Sequence, residues 1–180
     1  QTVIEINLNS LKNNLNFIKS ILRPKTMIMA VVKAHSYGGD SLIISKELEK
    51  QKIDYLAVAY TNEGIELREN GIRLPILVLH PQEDDFENII NYSLEPSIYS
   101  FRIFTFFLKT LRYNNIEKYP YQIKFNTGLN RLGFLKEDVE KLVPLIKNNP
   151  PKYLFSHLGV SEDPKEAEYS KNQIIQFQSI

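Results

Sequence analysis

Lys33 ends an apolar run, Thr26-Met27-Ile28-Met29-Ala30-Val31-Val32, and is followed by Ala34-His35-Ser36-Tyr37-Gly38-Gly39-Asp40. A lysine that closes a buried strand must bring its ammonium out at the strand end or bear a large desolvation cost. Held partly out of water, such a group gives up its proton more readily, and the neutral amine condenses with aldehydes. A strand-end lysine that reaches water or pairs with a carboxylate fits the position equally. Tyr37 and the two glycines after it add a loop where backbone can approach a ligand and a phenol can donate to it. Alone, they spell a turn.

A second group is Lys124-Phe125-Asn126-Thr127-Gly128-Leu129-Asn130-Arg131-Leu132-Gly133-Phe134, which leaves a strand for a polar, glycine-punctuated loop. Arg131 can offer a fixed, always-charged fork to a carboxylate or phenolate oxygen, or sit in a surface salt bridge. Lys124 lies on the strand itself, where an exposed position is the plain reading. The third group is Ser156-His157, at the end of a later strand. A histidine there can stack on a ring or pass a proton, or be a satisfied core residue. His35 and His80 fall in loops. No His/Asp/Glu set has metal-ligand spacing, and no elbow motif supports a serine triad.

The elements that must position these groups alternate between short β-branched or aromatic runs and amphipathic stretches, the pattern of βαβ units. Thr2–Ile6 reads as an opening strand and Asn9 as a helix cap, with Leu11, Leu15, Ile18 and Leu22 on one stripe and Pro24 closing the helix. Thr26–Val32 reads as a strand covered on both faces. Asp40 caps the next helix. Then come strand Ile53–Ala59, a helix capped by Thr61 and ended by Gly71, and strand Ile76–Leu79. Asp84–Asn91 is a short helix and Pro96–Tyr99 a strand. Phe101–Leu111 is a helix thick with aromatics, read as core. Strand Tyr121–Phe125, helix Glu137–Lys147, strand Lys152–His157 and helix Glu166–Gln178 complete residues 1–180, which read as a single domain. This makes roughly six strand–helix units where a closed (β/α)8 barrel needs eight. A doubly wound sheet would want a glycine-rich phosphate turn after its first strand, and none is present. The fold expected is α/β, a partial TIM-type barrel preceded by an N-terminal strand and helix.

The 180 residues carry 22 Lys+Arg against 21 Asp+Glu, so no polybasic character points to nucleic acid. With no cysteine, disulfides and thiolate metal sites are excluded. The apolar runs are far shorter than the ~20 residues of a membrane helix, and no signal-peptide pattern precedes them, so no membrane partner and a cytoplasmic location are expected. A start at Gln1 suggests a domain boundary.

The three groups, in this order, resemble the N-terminal barrel of bacterial alanine racemase, a fold-type-III pyridoxal-phosphate enzyme. Ala30–Gly38 is similar to the family's cofactor-lysine segment, and Asn126–Phe134 to its Asp-Thr-Gly-Met-x-Arg-Leu-Gly-Phe stretch. Glu66-Leu67-Arg68-Glu69-Asn70-Gly71-Ile72, the Pro75–Leu79 strand and Ser156-His157-Leu158 also match. The resemblance implies that Lys33 binds pyridoxal 5'-phosphate covalently and acts as one of two racemisation bases. It implies that Tyr37 contacts the phosphate, that Arg131 bonds the pyridoxal 3-oxygen and orients the substrate carboxylate, and that His157 lies against the pyridine ring. Lys124 matches a lysine that is carbamylated in some members, where it steadies the arginine.

His35-Ser36 replaces the usual Asn-Ala, Gly39-Asp40 replaces His-Gly, and Asn126 stands where Asp is common. The chain also stops before the last barrel units and the β-rich domain that supplies a catalytic tyrosine across a dimer interface in the family. The resemblance therefore implies a parent enzyme, homodimeric, that converts a small amino acid, L-alanine, to D-alanine for peptidoglycan. This stretch alone is expected to be inactive and, with open strand edges, to self-associate. The alternative is a barrel resembling the pyridoxal-phosphate homeostasis proteins, which bind the coenzyme without turnover.

Overall fold

Asn7 starts the first helix. Its side-chain oxygen accepts the Ser10 backbone N–H at 3.0 Å, which satisfies one of the donors every helix start leaves open. Helix α1 accordingly runs Leu8–Ile21, and its cap is Asn7, not the expected Asn9. The structure, a computed structural model, describes residues 2–180. The opening strand expected at Thr2–Ile6 is absent: no strand among the described residues pairs with it, and an extended segment without a neighbour leaves its backbone groups to water.

The chain forms two compact units, one comprising the chain up to His80 with Asn88–Glu95, the other Pro81–Glu87 with Pro96–Ile180. In the first, β1 (Met29–Val31), β2 (Tyr55–Val58) and β3 (Ile76–Val78) are parallel, with Met29 opposite Tyr55 and Leu56 opposite Ile76. The crossovers are α2 (Lys33–Gly38) with α3 (Ser41–Lys50), then α4 (Thr61–Glu69). Asp40 caps α3 as expected, its Oδ1 accepting the Ile43 N–H at 2.8 Å. Tyr60 and not Thr61 occupies the cap position of α4. Gly71, at φ +91°, turns the chain out of α4 with a conformation that costs glycine nothing.

Every residue of β2 and β3 is buried, but Met29 and Val31 of β1 are exposed. The expectation that Thr26–Val32 is covered on both faces is therefore wrong. Composition reports that a run is apolar; it does not report what covers it. Within its unit β1 pairs with β2 alone.

In the second unit β4 (Glu95–Ile98, its first residue in the other unit), β5 (Gln122–Lys124) and β6 (Tyr153–Phe155) are also parallel, with Ile98 opposite Ile123 and Lys124 opposite Phe155. A short helix, α5 (Phe86–Asn91), precedes β4, and α6 (Phe101–Tyr113), α7 (Val139–Ile146) and α8 (Ala167–Gln178) follow the three strands in turn. The aromatic face of α6 is core, as its spacing predicts. Phe107 lies 5.5 Å from Phe86 and 5.2 Å from Tyr121, ring centre to ring centre, and such pairs contribute about 0.5–1.5 kcal/mol each beyond area burial. The Tyr121 hydroxyl donates to the Asn149 carbonyl at 2.6 Å, and burial pushes its pKa up. Like β1, β6 exposes apolar side chains, Tyr153 and Leu154.

Candidate active-site groups at the strand ends

Lys33 follows β1 by two residues and is half-buried. The backbone before it is tied down: the Val32 N–H donates to the Ala57 carbonyl at 2.9 Å, and the Val32 carbonyl accepts the Ser41 hydroxyl at 2.9 Å and the Ser36 N–H at 3.2 Å. The backbone after it is unusual. Ala34, His35, Ser36 and Tyr37 have φ of 51°, 51°, 52° and 59°, so α2 is a turn of left-handed helix. For residues with a Cβ that conformation costs about 1–2 kcal/mol each, and it persists only where the surroundings impose it. Glu63 on α4 is one such constraint. Its Oε1 accepts the Ala34 N–H at 2.8 Å, while Oε2 accepts the N–H groups of Ala59 at 2.6 Å and Tyr60 at 3.1 Å. The turn brings the Tyr37 ring centre to 5.9 Å from the Lys33 ammonium, with Tyr37 71% exposed and its phenol open to a ligand. It also leaves the Ser36 hydroxyl buried without a hydrogen-bond partner among the described residues.

Lys124 is 6% exposed, and its ammonium lies 6.0 Å from the Phe155 ring centre. The reading of it as an exposed strand lysine is overturned. The loop that follows closes on itself: Phe134 N–H donates to the Lys124 carbonyl at 2.9 Å and Asn126 N–H to the Phe134 carbonyl at 2.8 Å. Gly133, at φ +127°, makes this possible, because a Cβ there would stand 2.6 Å from the Asn126 nitrogen. Asn126 Oδ1 accepts the N–H groups of Gly128 at 3.1 Å and Asn130 at 3.0 Å, and its amide donates to Asn130 Oδ1 at 3.0 Å. The amide thus fills the place of the carboxylate usual in the resembling motif, with a donor that a carboxylate lacks. Arg131 rides on this loop, exposed and without a hydrogen bond or ion pair among the described residues.

His157 is exposed and lies two residues beyond β6. Gln173, 2% exposed on α8, holds its backbone. The Gln173 amide donates to the His157 carbonyl at 3.2 Å and its oxygen accepts the Gly159 N–H at 2.9 Å. A further relay runs from the same amide to Thr127 Oγ1 at 3.5 Å, on to Ser156 Oγ at 2.7 Å and to the Phe125 carbonyl at 2.9 Å. One buried glutamine therefore joins the arginine loop to the histidine segment. In the sequence it is only one polar residue within the expected helix Glu166–Gln178. Glu63 falls in the first turn of α4, and nothing in the sequence signals its reach to Ala34.

Five side chains in the sequence have the chemistry for a site: Lys33, Tyr37, Lys124, Arg131 and His157. The structure brings Lys33 together with Tyr37 in the first unit. In the second it sets Lys124, Arg131 and His157 at or beyond the carboxyl ends of adjacent parallel strands. A cleft elsewhere on the first unit is lined by Arg68, Gly71, Ile72, Arg73 and Ser93. Arg68 is occupied there as a strut, donating to the carbonyls of Ile72 at 2.7 Å, Leu74 at 2.8 Å, Tyr92 at 3.1 Å and Ser93 at 3.1 Å. Among the described residues no cluster of metal-ligating side chains forms, and no helix is long and apolar enough to cross a membrane.

Parallel βα units that carry their chemistry-bearing side chains at strand carboxyl ends define an α/β protein of the (β/α)8 class, here with six of the eight units. The chain belongs to the family described as alanine racemase, N-terminal domain, whose model matches residues 6–180. It is 34% identical to an alanine racemase of Methanococcus maripaludis over 181 residues, which cover 97% of this chain and 48% of that protein. An alanine racemase of Thermodesulfovibrio yellowstonii is also 34% identical, over 98% of this chain and 48% of its own length. Among solved structures, an alanine racemase of Clostridium difficile 630 in complex with cycloserine superposes with a TM-score of 0.89 at 35% identity, over 96% of this chain and 48% of that one. The chain thus spans about half the length of the relatives it matches.

Proposed function

We propose that this chain is the coenzyme-binding half of a pyridoxal 5'-phosphate-dependent alanine racemase, a single truncated barrel domain of a larger enzyme. The observation that carries the reading is Lys33, half-buried at the end of β1, with its backbone fixed on both sides and a phenol beside its amine. The donor set fits the coenzyme. A primary amine suits an aldehyde, a phenol and an uncommitted guanidinium suit anionic oxygens, and the unpaired Ser36 hydroxyl leaves a further donor for a bound group. The coenzyme, when bound, supplies an electron sink that delocalises the carbanion left by loss of a substrate α-proton.

The chain's own residues divide the remaining work. Lys33 provides the amine that fixes the coenzyme and, once released, takes or returns the α-proton on one face. Tyr37 donates to the phosphate. Arg131 presents its fork to the ring oxygen and to the substrate carboxylate, which orients the amino acid. His157 supports the ring, and the buried Lys124 stands behind the arginine loop at its root.

Racemisation needs a second base on the opposite face, which this reading assigns to the other half of a homodimeric, cytoplasmic parent that makes D-alanine for the cell wall. The isolated chain supplied with coenzyme should show no interconversion of L- and D-alanine, whereas the full-length protein should show turnover that Lys33→Met abolishes. Turnover by the isolated chain would contradict the assignment of the second base. Coenzyme binding by the full-length protein without turnover would assign it to the non-catalytic homeostasis type instead.

A further inference from the structure

We propose that Glu63 is the positioning residue of the lysine segment: its carboxylate holds the left-handed turn that aims Lys33. The inference rests on the assignment of Lys33 as the coenzyme amine. The residues on either side of Lys33 are anchored differently. Val32 is fixed by β2 through the Ala57 carbonyl and by the Ser41 hydroxyl, contacts that any strand end could make. Ala34 enters a left-handed conformation at φ 51°, and its N–H donates to Glu63 Oε1 at 2.8 Å.

The other carboxylate oxygen is committed to Ala59 and Tyr60, where β2 passes into α4. One charged group thus ties the exit of β1 to the exit of β2, and charge-assisted bonds of this length are roughly twice as strong as neutral ones. Both oxygens must accept, and no other acidic side chain can be substituted without loss. Glutamine would turn an N–H donor toward backbone N–H groups, and aspartate falls one methylene short.

With this bond removed, four consecutive residues with a Cβ would hold positive φ against their intrinsic preference, and the turn would relax toward ordinary backbone. Lys33 would remain chemically intact but would sample many orientations. An orientational loss of this kind slows a reaction of the amine without altering its identity.

The test compares wild type, Glu63→Gln and Glu63→Asp in the full-length protein by three readouts: the rate of borohydride-trapped pyridoxal-phosphate attachment at Lys33, hydrogen exchange of the Ala34 amide, and melting temperature. The proposal expects about tenfold slower attachment at Lys33 and about tenfold faster Ala34 exchange in E63Q, while exchange in β2 and β3 is unchanged. Ala34→Gly supplies the second arm, because glycine accepts φ 51° without strain. In the A34G background E63Q should recover at least about threefold of the lost attachment rate, which a merely structural role of the helix cap would not produce. If E63Q does not fold, E63D is read in the same way. Attachment and Ala34 exchange at wild-type rates, or no recovery with A34G, would overturn the proposal. Wild-type protein that never labels Lys33 but still shows faster Ala34 exchange in E63Q would refute the coenzyme assignment and leave the clamp standing.

Discussion

The turn after β1 and the loop after β5 both present a cation beyond the carboxyl end of a strand, yet they are held by opposite means. The Lys33 turn is strained along four residues and has a charged acceptor reaching in from a neighbouring helix. The Arg131 loop closes on its own strand through the Phe134 and Asn126 backbone bonds, and is braced by neutral amides and hydroxyls. The difference matches the tasks proposed for the two cations. A covalent attachment point must keep one direction, whereas an arginine that meets a mobile substrate needs a firm base and a free end.

The comparison breaks most severely at Gly133. A methyl group there would press into the Asn126 nitrogen and the Phe125 carbonyl carbon at a φ that disfavours alanine. Gly133→Ala should therefore destabilise the second unit by about 3 kcal/mol in urea unfolding. Gln173→Leu comes next. It removes the bonds to the Gly159 N–H and the His157 carbonyl and cuts the relay to Thr127, at a cost of about 2 kcal/mol. Protection of the β2 and β3 amides against hydrogen exchange should stay at wild-type level in that variant.

The smallest effect is a pH dependence carried by the buried tyrosines of the second unit. Burial raises the pKa of Tyr121 above the ordinary phenol value, and Tyr99 is raised in the same direction, chiefly by burial and then by Asp85. The folded state therefore favours the protonated phenol. The stability that Tyr121 lends is complete below the unfolded value near pH 10 and drains as pH climbs toward the folded one, by up to about 1 kcal/mol per pH unit. Urea midpoints measured at pH 8, 9 and 10.5 should be level between the first two and lower at the third. Tyr121→Phe should flatten the fall.

Much of this arrangement was legible in the residues. The strand–helix rhythm, the Asp40 cap, the aromatic core face of α6 and the three groups at strand ends all follow from spacing and side-chain type. What escaped was set by neighbours. Met29 and Val31 read as buried because they are apolar, yet both are exposed. Thr2–Ile6 has the composition of a strand without a partner. The left-handed run from Ala34 to Tyr37 has no sequence signal, since only Gly38 advertises positive φ, and the carboxylate that meets its first N–H comes from α4, 29 residues further along the chain. Lys124 could not be known as buried until β6 set Phe155 beside it.

The central claim is that Lys33 is the amine that captures the coenzyme. Borohydride reduction of the pyridoxal-phosphate-treated protein, followed by peptide mapping, tests it most directly. The account predicts one dominant label, on the peptide that contains Lys33, and its disappearance in Lys33→Met. Label spread evenly over exposed lysines such as Lys25 and Lys118, with none favoured at Lys33, would contradict it.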